Sequence, residues 1–262
     1  MTARIIDGNT IADNLRKAVA IEVEQMVKEG YPRPGLATVL VGENPASQVY
    51  VRTKQKVCAE VGIESFGYTL PEKATQAEVE ALVKELNDNP RVHGILVQLP
   101  LPSGLNEEDV LKTIRIEKDV DGFHPLNIGR LAQKGREPLF VPCTPEGILY
   151  LLDQEGIKLE GANAVVLGRS NIVGMPVALL LVRRNATVTI CHSRSKDLPS
   201  ITSRADVLVA AVGKPEMVRG CPGSISPPAP PRADWRRSEP SRSPANVQWP
   251  ARRRNNLWTC AS

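Results

Sequence analysis

The chain has 262 residues, 42% of them hydrophobic, which is enough for one large or two medium-sized domains with a real core. Its formal net charge is +4, but residues 221–262 hold seven Arg and two acidic residues, a balance of +5, so the first 220 residues sum to −1. The overall charge therefore gives no reason to expect a nucleic-acid partner, and none is expected.

No stretch approaches the roughly 18 apolar residues of a membrane span. The chain starts with MTARIIDGNTIADNLRKAV, which enters a strand and helix pattern and lacks the apolar core of a signal peptide. The five cysteines show no CxxC pairing, and the three histidines lie far apart, so neither a disulfide framework nor a metal site is predicted. These features predict a cytoplasmic protein with no membrane partner and no metal.

Helix and strand patterns alternate through the first half of the chain. Apolar spacing predicts helices over 10–29, 47–61 and 75–86, and strands over 36–41, 65–70 and 92–98. Thr75, with Glu78 three residues later, is expected to begin the third helix as a capping box. This order predicts an α/β unit with a parallel sheet and helices on its faces.

A second unit begins near Thr144. Pro145 is expected to open a helix through Leu152, followed by a strand at 164–167, a helix at 174–184 and strands at 187–191 and 207–212. This is the first half of a doubly wound nucleotide-binding fold. After Gly220 come eight of the chain's 22 prolines and all three tryptophans, and no strand is predicted there because proline removes ladder donors.

Three polar insertions interrupt the apolar pattern of the first half. Tyr50 and Lys54 are four apart, so a helix presents both on one face. That spacing alone favours a surface lysine beside a half-buried tyrosine over a ligand site. Gln98 ends an otherwise apolar strand, where it is either an exposed edge residue or a ligand contact at the carboxyl end of the sheet.

Two aspartates lie in a loop closed by Gly122 and Pro125. Alternation suggests that Asp119 and Asp121 point in different directions, and Asp121, next to the glycine, is the better candidate for a ligand contact. The alternative is an aspartate that bonds its own backbone in a turn. Cys143, in VPCTP, has no histidine to pair with at readable spacing and is interpreted as structural.

The turn from Gly168 to Gly174 lies between a strand and a helix, which is the usual position for a nucleotide pyrophosphate. The next strand leads into Cys191-His192-Ser193-Arg194 and offers no carboxylate for a ribose 2′-hydroxyl. Arg169 and Arg194 are instead cations placed to meet a 2′-phosphate, which favours NADP over NAD.

These motifs together resemble the bifunctional methylenetetrahydrofolate dehydrogenase/cyclohydrolase family. The resemblance runs from residue 1 to about 220 through YVRTK, HGILVQLPLP, EKDVDGFHPLNIGRL, VPCTPEGI, VVLGRSNIVGMP and ATVTICHS. It implies an N-terminal α/β folate-binding lobe over 1–122 and a Rossmann-like NADP-binding lobe over 123–220, whose C-terminal part is incomplete. Residues 221–262 depart from the family pattern and are expected to be disordered.

The resemblance implies two reactions in one-carbon metabolism. One is NADP-dependent oxidation of 5,10-methylenetetrahydrofolate, and the other is hydrolysis of the methenyl product to 10-formyltetrahydrofolate. Lys54 would be the central catalytic group, with Gln98 tuning it and Tyr50 stacking on the folate. The implied folate contacts are Tyr50, Lys54, Gln98, Leu99, Pro100 and Asp121. The implied NADP contacts are Thr144, Gly168, Arg169, Ser170, Gly174 and Ser193.

The family further implies a homodimer, if the fold is completed, and a contribution to purine biosynthesis. Two alternatives stay open. One is a catalytically inactive, truncated form that at most associates with partner subunits. The other is a two-lobed Rossmann dehydrogenase for a non-folate substrate, against which the Tyr50, Lys54, Gln98 and Asp121 set argues.

Overall fold

The computed structural model describes residues 4–214, 217–221, 224–226 and 257–260. The chain divides into two units. We call Asp7–Cys143 the N-terminal unit, and Thr144 onward, together with the first six residues, the C-terminal unit. Arg4 belongs with the latter because its guanidinium forms an ion pair with Glu155.

The N-terminal unit is a three-stranded parallel sheet covered by helices. Its strands are β1 (Gly35–Val41), β2 (Glu64–Leu70) and β3 (Gly94–Val97), in the order β2-β1-β3. Its helices are α1 (Gly8–Lys28), α2 (Pro45–Glu60), α3 (Gln76–Asp88), α4 (Glu107–Thr113) and α5 (Pro125–Ala132). The parallel α/β sheet predicted from the alternation is confirmed.

The central strand β1 is buried along nearly its whole length, because strands lie on both sides of it and helices cover its faces. Ala37, Val39 and Val41 pack with Val79 and Val83 of α3 in the core of the unit. Each fully buried valine contributes about 1.5–3 kcal/mol relative to an exposed one.

Local signals fix the ends of several helices. The capping box at α3 is confirmed: the Glu78 amide donates to the Thr75 hydroxyl at 3.3 Å, and the Thr75 amide donates to the Glu78 carboxylate at 2.7 Å. Helices α4 and α5 were not predicted, because seven and eight residues are too few to show a helical period. Both begin with polar caps, Asn106 and His124, each of which accepts a backbone N–H.

The C-terminal unit begins with α6 (Cys143–Gln154) and then alternates strand and helix. Its further elements are β4 (Asn163–Leu167), α7 (Gly174–Arg183), β5 (Thr187–Cys191), α8 (Leu198–Thr202) and β6 (Val207–Ala210). Strands β5, β4 and β6 are parallel and lie in that order, as expected for half of a doubly wound fold. A short antiparallel pair follows, β7 (Arg219–Cys221) and β8 (Ser224–Ser226).

A further strand, β9 (Leu257–Cys260), pairs in parallel with β6. The prediction that no strand follows Gly220 is wrong at β8 and at β9. The last proline is Pro250, so the segment LWTC keeps every ladder donor, and its Trp and Thr favour extended backbone. Residues 222–223, 227–256 and 261–262, on which the expectation of disorder also falls, lie outside the described residues.

The division between the units falls between Cys143 and Thr144, later than the boundary expected after residue 122. The intervening segment stays with the N-terminal unit because Asn127, on α5, donates a hydrogen bond to Asp119 and accepts one from the Leu139 amide. In the part of the chain that the structure describes, no helix is both long enough and apolar enough to cross a membrane.

Candidate functional site

The side chains of Lys54 and Gln98 meet at the carboxyl end of the N-terminal sheet. Lys54 lies on α2, which follows β1, and Gln98 directly follows β3, which pairs with β1. The Lys54 ammonium donates to the Gln98 side-chain oxygen at 3.3 Å. The Gln98 side-chain nitrogen donates to the Leu99 carbonyl at 2.8 Å, and this bond leaves the amide oxygen facing the lysine. Gln98 is half-buried at the end of β3. This position fits a side chain at the carboxyl edge of the sheet better than an exposed edge residue.

Tyr50 and Lys54 share one face of α2, as their spacing predicts, but their burial is the reverse of the surface-lysine alternative. Tyr50 is 57% exposed, whereas Lys54 is half-buried. An exposed aromatic ring one helical turn from an amine can stack on a flat ligand that the amine also reaches. Leu99 and Pro100 continue from Gln98 through a cis peptide bond and stay partly accessible or exposed.

The two aspartates of the following loop have different surroundings. Asp119 is 1% exposed, and its carboxylate accepts the amides of Phe123 at 3.2 Å and His124 at 2.9 Å. Asp119 is therefore the turn-forming aspartate. Burial raises the pKa of Asp121. The positive charge of Lys54 and a hydrogen bond from the Cys143 thiol act to lower this pKa, and the Asp119 charge raises it.

Gly122 allows a second chain segment to reach Asp121. Its φ is +68°, and a Cβ there would lie 2.6 Å from the Val141 carbonyl carbon and 2.7 Å from the Pro142 nitrogen. The segment that passes this close ends at Cys143, whose thiol lies 3.6 Å from the Val120 carbonyl oxygen. The spacing of residues along the chain did not indicate that Cys143 borders the candidate site.

These groups define what the N-terminal site can do chemically. A carboxylate beside an ammonium can accept paired N–H donors from a polar heterocycle, because charge-assisted bonds are short and strong. The lysine can exchange protons with a reacting group or water within reach, and the Gln98 oxygen restricts where its N–H bonds point. Among the described residues, no cluster of His, Cys, Asp and Glu could hold a metal ion.

In the C-terminal unit, the turn between β4 and α7 requires glycine at both ends. Gly168 has a φ of +114°, and a Cβ there would overlap the Ala211 carbonyl oxygen. A Cβ on Gly174 would lie 2.5 Å from the Gly168 carbonyl oxygen. The Ser170 hydroxyl accepts the Val173 and Gly174 amides, both at 3.2 Å. The turn thus packs closely against the first residue of α7. The free N–H groups at the start of a helix favour a bound phosphate.

The loops after β4 and β5 leave the sheet side by side. Leu167 and Cys191 are paired in register, and Arg169 and Ser193 each lie two residues beyond that pair. Both side chains are exposed, as is that of Arg194. His192, Ser193 and Arg194, which directly follow β5, include no carboxylate, and this composition fits a 2′-phosphate better than a 2′-hydroxyl.

The loop that carries Ser193 is held by Ser195, whose hydroxyl accepts the His192 amide at 2.9 Å. No pattern in the sequence singled out Ser195. Thr144 lies exposed in the first turn of α6.

Comparison with known proteins agrees with this geometry. The model of the tetrahydrofolate dehydrogenase/cyclohydrolase catalytic domain matches residues 6–121, and that of the NAD(P)-binding domain matches residues 142–222. Bifunctional protein FolD 2 of Arabidopsis thaliana is 57% identical over 219 residues, covering 84% of this chain and 73% of the relative. The chloroplastic FolD 4 of the same plant is 54% identical over 226 residues, covering 85% of this chain and 63% of its own length.

A solved structure agrees in fold as well as in sequence. The N5,N10-methylenetetrahydrofolate dehydrogenase-cyclohydrolase of Trypanosoma brucei, complexed with NADP and an inhibitor, has a TM-score of 0.80 and 39% identity. The match covers 82% of this chain and 74% of that one. The chain belongs to the tetrahydrofolate dehydrogenase/cyclohydrolase family.

Proposed function

We propose that this chain catalyses two consecutive reactions on a folate: NADP-dependent oxidation of 5,10-methylenetetrahydrofolate, and hydrolysis of the methenyl product to 10-formyltetrahydrofolate. Family membership supports the pair of reactions. The observation that carries the assignment in this molecule is the contact of Lys54 with Gln98. The Lys54 charge also acts to lower the pKa of Asp121, which burial raises.

Three side chains would hold the folate. Asp121 would accept hydrogen bonds from the N–H groups of the pterin, since a carboxylate offers paired acceptors to such an edge. The exposed ring of Tyr50 would stack on a flat part of the substrate. Leu99 and Pro100, next to Gln98, would border the bound ligand. Held in this way, the one-carbon bridge can be presented to the Lys54 amine.

Lys54 would move the protons of the hydrolytic step. Water adds to the methenyl carbon, the bond from that carbon to N5 breaks, and the formyl group stays on N10. One proton of the water ends on N5 and the other is released. The Lys54 ammonium carries exchangeable protons, and the Gln98 oxygen 3.3 Å away would keep it oriented.

NADP⁺ supplies the hydride acceptor when bound. The residues present fit this cofactor: glycines at 168 and 174 allow close backbone approach, and Arg169 offers a cation beside the loop that carries Ser193. We assign Gly168, Arg169, Ser170, Gly174, Ser193 and Thr144 to its binding. The lack of a carboxylate at positions 192–194, directly after β5, supports NADP rather than NAD.

We further propose that the protein acts in the cytoplasm as a homodimer and provides formyl groups for purine biosynthesis. The resemblance to the family supports the dimer and the role in purine biosynthesis. The five cysteines, which show no CxxC pairing, support a reducing compartment such as the cytoplasm. The mass of the purified protein in solution would test the dimer. A fluorescent fusion expressed in cells of the source would test the compartment.

The function is tested by incubating the purified chain with 5,10-methylenetetrahydrofolate and NADP⁺ and quantifying NADPH, methenyl- and 10-formyltetrahydrofolate by mass spectrometry. We expect NADPH to form together with the formyl product, and the methenyl product to be hydrolysed faster than in buffer. A chain that melts cooperatively yet forms neither product would instead support the inactive alternative.

A further inference from the structure

A buried pair of polar side chains lies behind the candidate folate-binding loop. Asn127, on α5, is 1% exposed, and so is Asp119. The Asn127 side-chain nitrogen donates to the Asp119 carboxylate at 2.7 Å. The same carboxylate oxygen accepts the His124 amide at 2.9 Å, and the other accepts the Phe123 amide at 3.2 Å. The pair thus closes a loop around Asp121 and Gly122.

The other end of the Asn127 side chain holds the second segment that reaches Asp121. Its oxygen accepts the Leu139 amide at 2.9 Å and the Phe140 amide at 3.5 Å. After Phe140 the segment passes Gly122 so closely that a Cβ at position 122 would not fit. The segment then leads to Cys143. One amide side chain therefore joins the loop that carries Asp121 to the segment that carries the Cys143 thiol.

We propose that Asn127 is a positioning residue for folate binding, which acts through Asp119 and the 139–140 backbone to keep the Asp121 carboxyl aimed at the substrate. This inference rests on the proposed function, since it assigns Asp121 to the folate. Asn127 touches no reacting atom itself. It is buried, and its three polar partners are the Asp119 carboxylate and the amides of Leu139 and Phe140.

A buried asparagine that satisfies backbone groups also stabilises a fold, so the effect on stability must be separated from the effect on positioning. The chain offers a matched control in Asn87, which is 6% exposed. Its nitrogen donates to the Thr113 carbonyl at 2.7 Å and its oxygen accepts the Arg115 amide at 2.9 Å. Asn87 thus also uses both ends of its side-chain amide within the same unit, but its donor is bonded to a backbone carbonyl, and its partners lie outside the loop of Asp121.

The experiment compares Asn127→Ala with Asn87→Ala in the full chain, below the melting temperature of both. Affinity for tetrahydrofolate and for NADP⁺ is measured by calorimetry, and KM and kcat for methenyl hydrolysis are measured in parallel. We expect both variants to lose thermal stability. Asn127→Ala should weaken tetrahydrofolate binding and raise KM at least 10-fold, whereas Asn87→Ala should stay within about two-fold of the wild type. NADP⁺ affinity should not change in either variant.

A side-chain exchange separates geometry from charge. Asn127→Asp alone sets two carboxylates against each other, and Asp119→Asn alone sets two amide groups there. The double variant Asp119→Asn/Asn127→Asp restores a donor opposite an acceptor between the two side chains and keeps the net charge, but the oxygen that accepts the His124 amide becomes an NH2 group. We expect each single variant to lose tetrahydrofolate affinity, and the double variant to recover part of it.

The outcomes distinguish this inference from the function on which it rests. If the wild type binds tetrahydrofolate and the Asn127 and Asn87 variants lose affinity equally, Asn127 is only structural and the inference is overturned. If the exchanged pair recovers stability but not affinity, positioning by this contact is also refuted. A wild type that binds NADP⁺ but no tetrahydrofolate overturns the folate assignment itself.

Discussion

The ammonium nitrogen of Lys54 lies 3.3 Å from the side-chain oxygen of Gln98, although the two residues are 44 positions apart in the chain. The contact exists because β3 pairs directly with β1, so the residue that ends β3 reaches the helix that follows β1. A third segment carries Asp121, whose pKa burial raises and the positive charge of Lys54 acts to lower.

Lys54→Met should lower the rate of methenyl hydrolysis by a factor of about 10²–10⁴, since it removes the group proposed to move protons. Hydride transfer, which depends mainly on positioning, should persist in part. The control is Lys56→Met on the same helix, because the Lys56 side chain is 78% exposed and pairs only with the surface Glu60 within the described contacts. The two activities are measured separately for each variant. Hydrolysis at the wild-type rate in Lys54→Met would refute the assignment.

Arg169→Ala should reduce the preference for NADP⁺ over NAD⁺ about 10- to 100-fold, which corresponds to losing one charge-assisted hydrogen bond to the 2′-phosphate. Arg204→Ala is the matched control, because Arg204 is also exposed in the C-terminal unit but precedes β6, at the opposite end of the strand. Dissociation constants for both cofactors give the ratio directly. Equal affinities for NADP⁺ and NAD⁺ in the wild type would contradict the assignment before any substitution is made.

Asp121→Asn should raise the melting temperature near pH 7. Burial raises the pKa of Asp121 in the folded protein, so above the unfolded value of about 3.9 the native state binds more protons than the unfolded state. The free energy of unfolding therefore falls as the pH rises through the folded pKa, and the amide removes that loss. Folate affinity should fall in the same variant.

Melting curves between pH 4 and pH 8 test this relation. Asp13→Asn is the comparison, since Asp13 is exposed and pairs with Arg16 on the surface, where such pairs contribute little. If Asp121→Asn is less stable than the wild type at pH 7 and more stable near pH 4, folding does not raise the pKa of Asp121, and the prediction is wrong.

Two helical glycines should respond oppositely to alanine. A Cβ at Gly147, in α6, would meet nothing within 4 Å, so Gly147→Ala should stabilise the protein by about 0.5–1 kcal/mol. A Cβ at Gly174 would lie 2.5 Å from the Gly168 carbonyl oxygen, so Gly174→Ala should destabilise by about 1–3 kcal/mol. It should also weaken NADP⁺ binding, which Gly147→Ala should leave unchanged. Denaturant unfolding and calorimetry give both quantities, and equal stability of the two variants would contradict the close approach.

Features that depend on neighbouring residues could be predicted from the sequence. The capping box at Thr75, the shared face of Tyr50 and Lys54, and the strand, turn and helix around Gly168 all follow from spacing along the chain. Local periodicity and turn chemistry determine such features, because the interacting groups lie within a few residues of one another. The parallel order of the strands followed from the alternation of helices and strands.

Contacts between distant segments were decided only by the tertiary structure. The sequence favoured Asp121 as the ligand contact, and only packing showed that Asp119 is the aspartate that accepts the Phe123 and His124 amides and forms the turn. The same packing brought Cys143 to that site and kept Asn127 with the N-terminal unit. The physical reason is that a buried polar group must find its partners wherever the assembled sheets and helices put them, and a linear pattern does not encode which distant segment will supply them.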